Sequence, residues 1–265
     1  MQCFKTLGDS FALLFKNYIL FVPLLISTLL SLVTVPLFYS LNLVEGFSPG
    51  KLVALVVSVF ILGAVSFIMH LWLYGLIKMV IERKKVSYSK SFKQGMELAP
   101  NIILVSLIVL GLGLIAVMIG GIAALLTMGI FYLSSVAGFI VATILILCGS
   151  ILLIFFGLSL SYVWSIIIVE NKGPWEIIKL SYYTFMRHKS ATLKLGLTAL
   201  LVSIIAYLPL LIFQILSNIF IGNEIATRGL MFSFYNQLLN IPLVIVSLVL
   251  MIYYTLAYLQ LKKKK

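Results

Sequence analysis

Between Leu98 and Val169 the sequence carries no Asp, Glu, Lys or Arg. A soluble domain cannot leave so long a segment without charge, because its surface has to meet water. A bilayer is crossed by about 20 apolar residues in a helix, so this one stretch holds two spans joined by a tight apolar turn. The whole chain follows suit. It is 63% hydrophobic and only 10% charged, against roughly 45–50% and 25% in an ordinary soluble domain. Its mean hydropathy is +1.21. The expectation is an all-α integral membrane protein.

Six spans are predicted, forming a single membrane domain over residues 1–265. They cover Tyr18–Leu41, Leu52–Met79, Ile102–Thr127, Phe139–Val169, Leu195–Leu216 and Leu238–Leu261. The first run is too long for a signal-peptide core and no Ala-x-Ala follows it, so it reads as a retained span. Turn chemistry separates the first two spans at Asn42–Lys51, with Glu45, Gly46, Pro49 and Gly50. The turn between the third and fourth falls near Met128–Gly138. The fourth is too long to stand upright and is expected to tilt, to bend near Gly149 or Gly157, or to protrude. Ser217–Gln237 forms the longest external loop. Cys3 and Cys148, one before the first span and one inside the fourth, are not expected to pair.

Orientation follows from the basic residues. Of the 19 Lys and Arg, all but Lys51 and Arg228 lie on the side that holds both termini. The positive-inside rule makes that side cytoplasmic and the protein a multi-pass component of the cell membrane. The net charge of +12 is therefore a topology signal that also attracts anionic lipid; nucleic acid is not an expected partner.

Three units repeat one plan of interfacial helix, span, outer turn, span and charged corner, over about 1–85, 86–172 and 173–265. Phe4, Leu7, Phe11 and Leu14 share their spacing with Trp175, Ile178, Tyr182 and Phe185. Tyr88, Ser91, Gly95 and Leu98 keep the positions without the hydrophobicity, in an amphipathic stretch ended by Pro100. Tyr74, Tyr162 and Tyr254 each stand eight residues before Glu82, Glu170 and Lys262. An amphipathic helix with Lys5, Asp9 and Lys16 off its aromatic face belongs in a membrane interface. The mitochondrial carriers also have three two-span repeats, but each odd span there carries Pro-x-[Asp/Glu]-x-x-[Lys/Arg]. Pro23, Pro36 and Pro209 are followed here by apolar residues, which excludes that assignment.

Ile168-Val169-Glu170, the Gly173-Pro174-Trp175 start, Ile178, Leu180-Ser181, a basic patch and a glycine-containing span make up a recognisable run. It resembles the centre of several poorly characterised prokaryotic six-span membrane families. They include the membrane domain found ahead of some glycerophosphodiester phosphodiesterases. The resemblance covers about fifty residues, and departs from the pattern where Arg187-His188-Lys189 stands in place of a Lys-Gly pair. The membrane domain it resembles has no established catalytic residues to carry over, and no phosphodiesterase domain is expected in this sequence.

Two candidate sites emerge. His70, with Trp72 and Tyr74 close by, is an ionisable group well inside a span, which marks a candidate intramembrane polar site. A histidine hydrogen-bonded within the helix bundle is the simpler account. None of the acids lies in a span core to partner it. Arg187, His188, Lys189 and Lys194 form a candidate anionic-lipid contact. Gly111, Gly113, Gly120 and Gly121 read as sites of close helix approach. Gln214, Asn218, Asn236 and Asn240 read as interfacial groups at the outer ends of the last two spans. Two histidines and two scattered cysteines make no metal-ligand set, no phosphate loop of the Walker type occurs, and no cofactor is expected. The sequence thus predicts a non-enzymatic protein that organises lipid, or a protein partner it does not identify, at the cytoplasmic face. The alternative is a transporter or pore for a small solute along the repeat axis.

Overall fold

The computed structural model describes residues 3–40, 49–133, 140, 143–144, 149, 151, 154–220 and 240–263. All the regular structure among them is helical. In chain order it includes α1 (Cys3–Lys16), a short 3-10 turn (Tyr18–Leu20), α2 (Phe21–Ser40), α3 (Pro49–Ile81), α4 (Tyr88–Leu133), helical residues 154–160, α5 (Val163–Glu170), α6 (Pro174–Arg187), α7 (Lys189–Phe220) and α8 (Ile241–Lys262). Among the described residues four helical stretches are long and apolar enough to cross a bilayer: Val56–Ile81, Tyr88–Ile115, Lys189–Phe213 and Ile241–Lys262. A fifth arises if α1 and the helix beyond Tyr18 count as one bent span, and Ile154–Glu170 is a shorter apolar helix.

The chain turns by 87° between α1 and the helix that starts at Tyr18. Asn17 makes this corner. Its side-chain amide donates to the Leu13 carbonyl at 2.8 Å, ending α1, and its own carbonyl accepts from Leu20 at 3.0 Å to start the next turn. Phe4 and Phe15 of α1 and Tyr18 just beyond it are exposed, while Phe11 is partly buried against the core. The small side (Cys3, Thr6, Ser10) and Leu14 are buried. Aromatic groups on an exposed face perpendicular to a span suit a membrane interface.

The core lies at one end of the bundle, where the charged corners are. Leu20, Leu76, Ile77, Ile166, Ile252 and Tyr253 are each completely buried there. Away from that end large apolar side chains look outward, among them Val56 and Phe60 on α3, Leu107 and Leu110 on α4, and Leu201 and Ile205 on α7. Water does not tolerate so continuous an apolar surface, whereas hydrocarbon does.

Four local expectations are corrected. First, Pro100 does not end the second amphipathic stretch: α4 runs through it unbroken. Proline removes one helical hydrogen bond, but α4 is already fixed on α3 before it is reached. A Cβ on Gly75 would overlap the Ser91 carbonyl, and one on Gly95 would overlap the Leu71 carbonyl. These two glycines bring the backbones into direct contact. Second, that close approach was expected at the α4 glycines, yet Gly111 and Gly113 have open space around them. They lie on the half of α4 that carries the outward-facing leucines. Third, Gly157 lies within helix, and the local break in the fourth apolar segment is a two-residue turn at Ser161–Tyr162. Ser159 and Ser161 donate to carbonyls three residues back, at 2.7 and 2.8 Å, which competes with the helical ladder. Fourth, α4 continues to Leu133, so no turn begins at Met128.

The remainder of that turn, Cys148, the loop at 42–48 and Asn236 lie outside the described residues, as do the side chains of Pro36, Gly120, Gly121, Gln214 and Asn218. Asn240 immediately precedes α8.

Candidate functional site

Glu170 ends α5 and stands just past the fourth apolar segment. Its side chain is only 9% exposed, a position that an ionised carboxylate occupies only when it is paired. Three partners meet it. Tyr258 donates its hydroxyl hydrogen to Oε1. Lys262 bridges to Oε1 at 3.0 Å, and Lys172 bridges to Oε2 at 3.0 Å. Burial by itself pushes the carboxyl pKa up, but the Tyr258 hydroxyl and the two ammonium groups outweigh it and hold the value down at about 2.

The chain builds this cluster from three directions. Asn171 takes a left-handed backbone conformation, φ 43°, which stops α5 and swings Lys172 back over Glu170. Its side-chain oxygen accepts from Asn101 on α4 at 2.9 Å. Gly173 and Pro174 then open α6 with proline in the first turn, where its missing N–H costs nothing. Ser181, buried on α6, donates to the Ser159 carbonyl at 2.7 Å, and Phe185 meets Phe155 edge-to-face at 5.0 Å. These two contacts lay α6 across the base of the fourth apolar segment.

α5 and α8 meet in register. Tyr162 packs against Tyr254 with ring centres 6.2 Å apart, and eight residues on, Glu170 meets Lys262. Two such contacts at equal spacing mean that the helices run in the same direction. The Tyr162 hydroxyl is hydrogen-bonded to Thr192 of α7 at 2.9 Å. Tyr74 stacks on Trp164 at 6.1 Å.

Two hollows border this framework. One, about 280 Å³, is lined by Glu170, Lys172, Leu180, Tyr183, Thr184, Arg187, His188, Tyr258, Leu261 and Lys262. The other, about 600 Å³, opens between α1 and α7. Cys3, Phe4, Leu197, Thr198 and Leu201 form its walls, with Lys5 and Lys194 beside them.

The basic residues singled out in the sequence are thus divided. Arg187 and His188 border the first hollow, Lys194 the second, and Lys189 is exposed at the start of α7. His70, Trp72 and Tyr74 are not drawn together. His70 Nδ1 lies 2.7 Å from the Ser66 carbonyl in its own helix, beside a crevice lined by Pro23 and Ser27 of the neighbouring α2. Trp72 donates to Ser91 Oγ at 3.0 Å, and Tyr74 turns to Trp164. Sequence reasoning missed Tyr258 and Lys172 as partners of Glu170. The matched positions of Glu170 and Lys262 after their tyrosines were the available clue to the third. Among the described residues no group of three or more His, Cys, Asp or Glu is placed to hold a metal ion.

No family model matches this chain, and neither a curated protein nor a solved structure matches it.

Proposed function

We propose that this is a six-span protein of the cell membrane, with both termini cytoplasmic, that holds anionic phospholipid at the cytoplasmic face without catalysing a reaction. On this reading three hairpin repeats, each led by an interfacial helix, carry the charged corners, and the chain belongs with the six-span families that the Glu170–Leu216 stretch resembles.

The observation that carries the function is the hollow between α1 and α7. Its walls are mostly apolar, and Lys5 and Lys194 border it. An acyl chain has apolar surface to lie on there and an anionic headgroup has two ammonium groups to meet. Near a membrane surface each basic residue contributes about 1 kcal/mol to attraction for anionic lipid. The pair therefore supports roughly a thirtyfold preference. A solute pathway finds less support, because the axis at the charged end is filled by Leu76, Ile77, Ile166 and Ile252.

The test is the lipid that accompanies the purified protein. The double variant Lys5→Gln, Lys194→Gln should lose anionic phospholipid relative to the parent, with zwitterionic lipid unchanged. Equal retention of anionic lipid by both proteins refutes the reading.

A further inference from the structure

We infer that the smaller hollow, under the Glu170 corner, is a binding site for a phosphate group, the chemistry common to phosphomonoester lipid headgroups and free phosphate. It is distinct from the groove between α1 and α7 and does not depend on it.

Charge is the first argument. Three basic side chains, Lys172, Arg187 and Lys262, line the hollow against a single carboxylate, Glu170. The surplus is two positive charges around one small volume. The carboxylate is already engaged at both oxygens, by Lys262 and Tyr258 at one and Lys172 at the other. Each ammonium has three donors and gives one to Glu170, so donors remain on both. Glu170 therefore fixes the two lysines in place while most of its own charge is met.

Donor geometry is the second. Arg187 carries five N–H groups in a rigid fork, and among the described residues it pairs with no carboxylate. A planar guanidinium matches two phosphate oxygens at once. The His188 ring borders the same hollow. Arg187 and Lys189 are both exposed, but only Arg187 lines the hollow. Size is the third. About 280 Å³ is enough for a phosphate group with residual solvent.

The experiment uses the purified full chain, with two probes. Inorganic phosphate is titrated into detergent-solubilised protein and followed by calorimetry. Separately, nanodiscs of phosphatidylcholine with and without phosphatidic acid report headgroup binding. Saturable binding of either probe, weakened about tenfold or more by Arg187→Gln and unchanged by Lys189→Gln, supports the site. Inorganic phosphate binding identifies a free source as sufficient; binding of phosphatidic acid alone identifies the headgroup. Lys172→Gln, which removes a second donor on another segment, should weaken the same probe. Equal losses in Arg187→Gln and Lys189→Gln mean diffuse surface charge and overturn the site, as does the absence of saturable binding to both probes. Loss of lipid retention in the Lys5, Lys194 variant bears only on the groove, so the two readings fail separately.

Discussion

Tyr258 and Glu170, 88 residues apart, share a hydrogen bond at the point where α8 passes the end of α5. Tyr258 is almost fully buried, so its hydroxyl has little access to water as an alternative partner. The bond joins the last helix to the corner from which α6 departs, and Lys262, one helical turn beyond Tyr258, closes the same contact.

Removing that hydroxyl should loosen the corner. Tyr258→Phe is expected to lower stability by about 1.5–3 kcal/mol, the range for hydrogen bonds to charged groups. Glu170→Gln should cost less, about 1–2 kcal/mol, because glutamine still offers an oxygen to Tyr258, and Lys172 and Lys262 are about half exposed and can turn to water. Thermal unfolding in one detergent, followed by circular dichroism, measures both.

The same carboxylate sets an acid dependence. Its pKa is lowered from 4.5 to about 2, so the folded protein holds its proton less tightly than the unfolded chain. The stabilisation is complete above pH 4.5 and disappears as pH falls toward 2. Midpoints measured across that window should fall with acidification, and less steeply in Glu170→Gln. An identical slope in the two proteins would show that other carboxylates govern acid stability.

At the α3–α4 crossing, Gly75→Ala puts a methyl group into the Ser91 carbonyl. Neither backbone can give way cheaply, and a loss of about 1–3 kcal/mol is expected. Gly63→Ala on the same helix meets nothing within 4 Å and should leave stability unchanged or raise it by up to about 1 kcal/mol through helix propensity. Comparing the two separates close packing from helix propensity.

Sidedness needs a reporter other than Cys3, which is buried. In Lys189→Cys the thiol sits at an exposed position. A reagent that cannot cross membranes should label it in inverted vesicles and miss it in intact cells. Lys51→Cys should give the opposite pattern. Labelling of Lys189→Cys in intact cells would reverse the proposed orientation.

Buried hydroxyl pairs offer a finer test. A double-mutant cycle between Tyr162→Phe and Thr192→Val should return a coupling near 0.6 kcal/mol, the average for hydrogen bonds between membrane helices. A coupling indistinguishable from zero would mean that the 2.9 Å contact adds nothing to the α5–α7 packing.

The sequence by itself determined that the chain is helical with several long apolar helices, and it located the charged corners after Ile81 and at Glu170. Residues 98–169 lack charge, so they have to leave water, and the aromatic spacing from Phe4 and from Trp175 marks two helices with an apolar face. Local composition carries that information, because transfer into lipid and helical periodicity depend on which residues lie in a window. Tertiary structure decided the rest. Gly75 and Gly95 matter because they face each other across two helices, whereas Gly111 and Gly113, alike in sequence, face outward. Pro100 is absorbed because α4 is already clamped to α3. The basic cluster from Arg187 to Lys194 is one patch in the chain, but the helices divide it: Arg187 and His188 join Glu170, while Lys194 turns toward Lys5. Glu170 itself reads as one corner charge among several. Its environment comes from Tyr258 and Lys262, far along the chain, and burial and ion pairing across such a distance are properties of the packed bundle that no local stretch of sequence specifies.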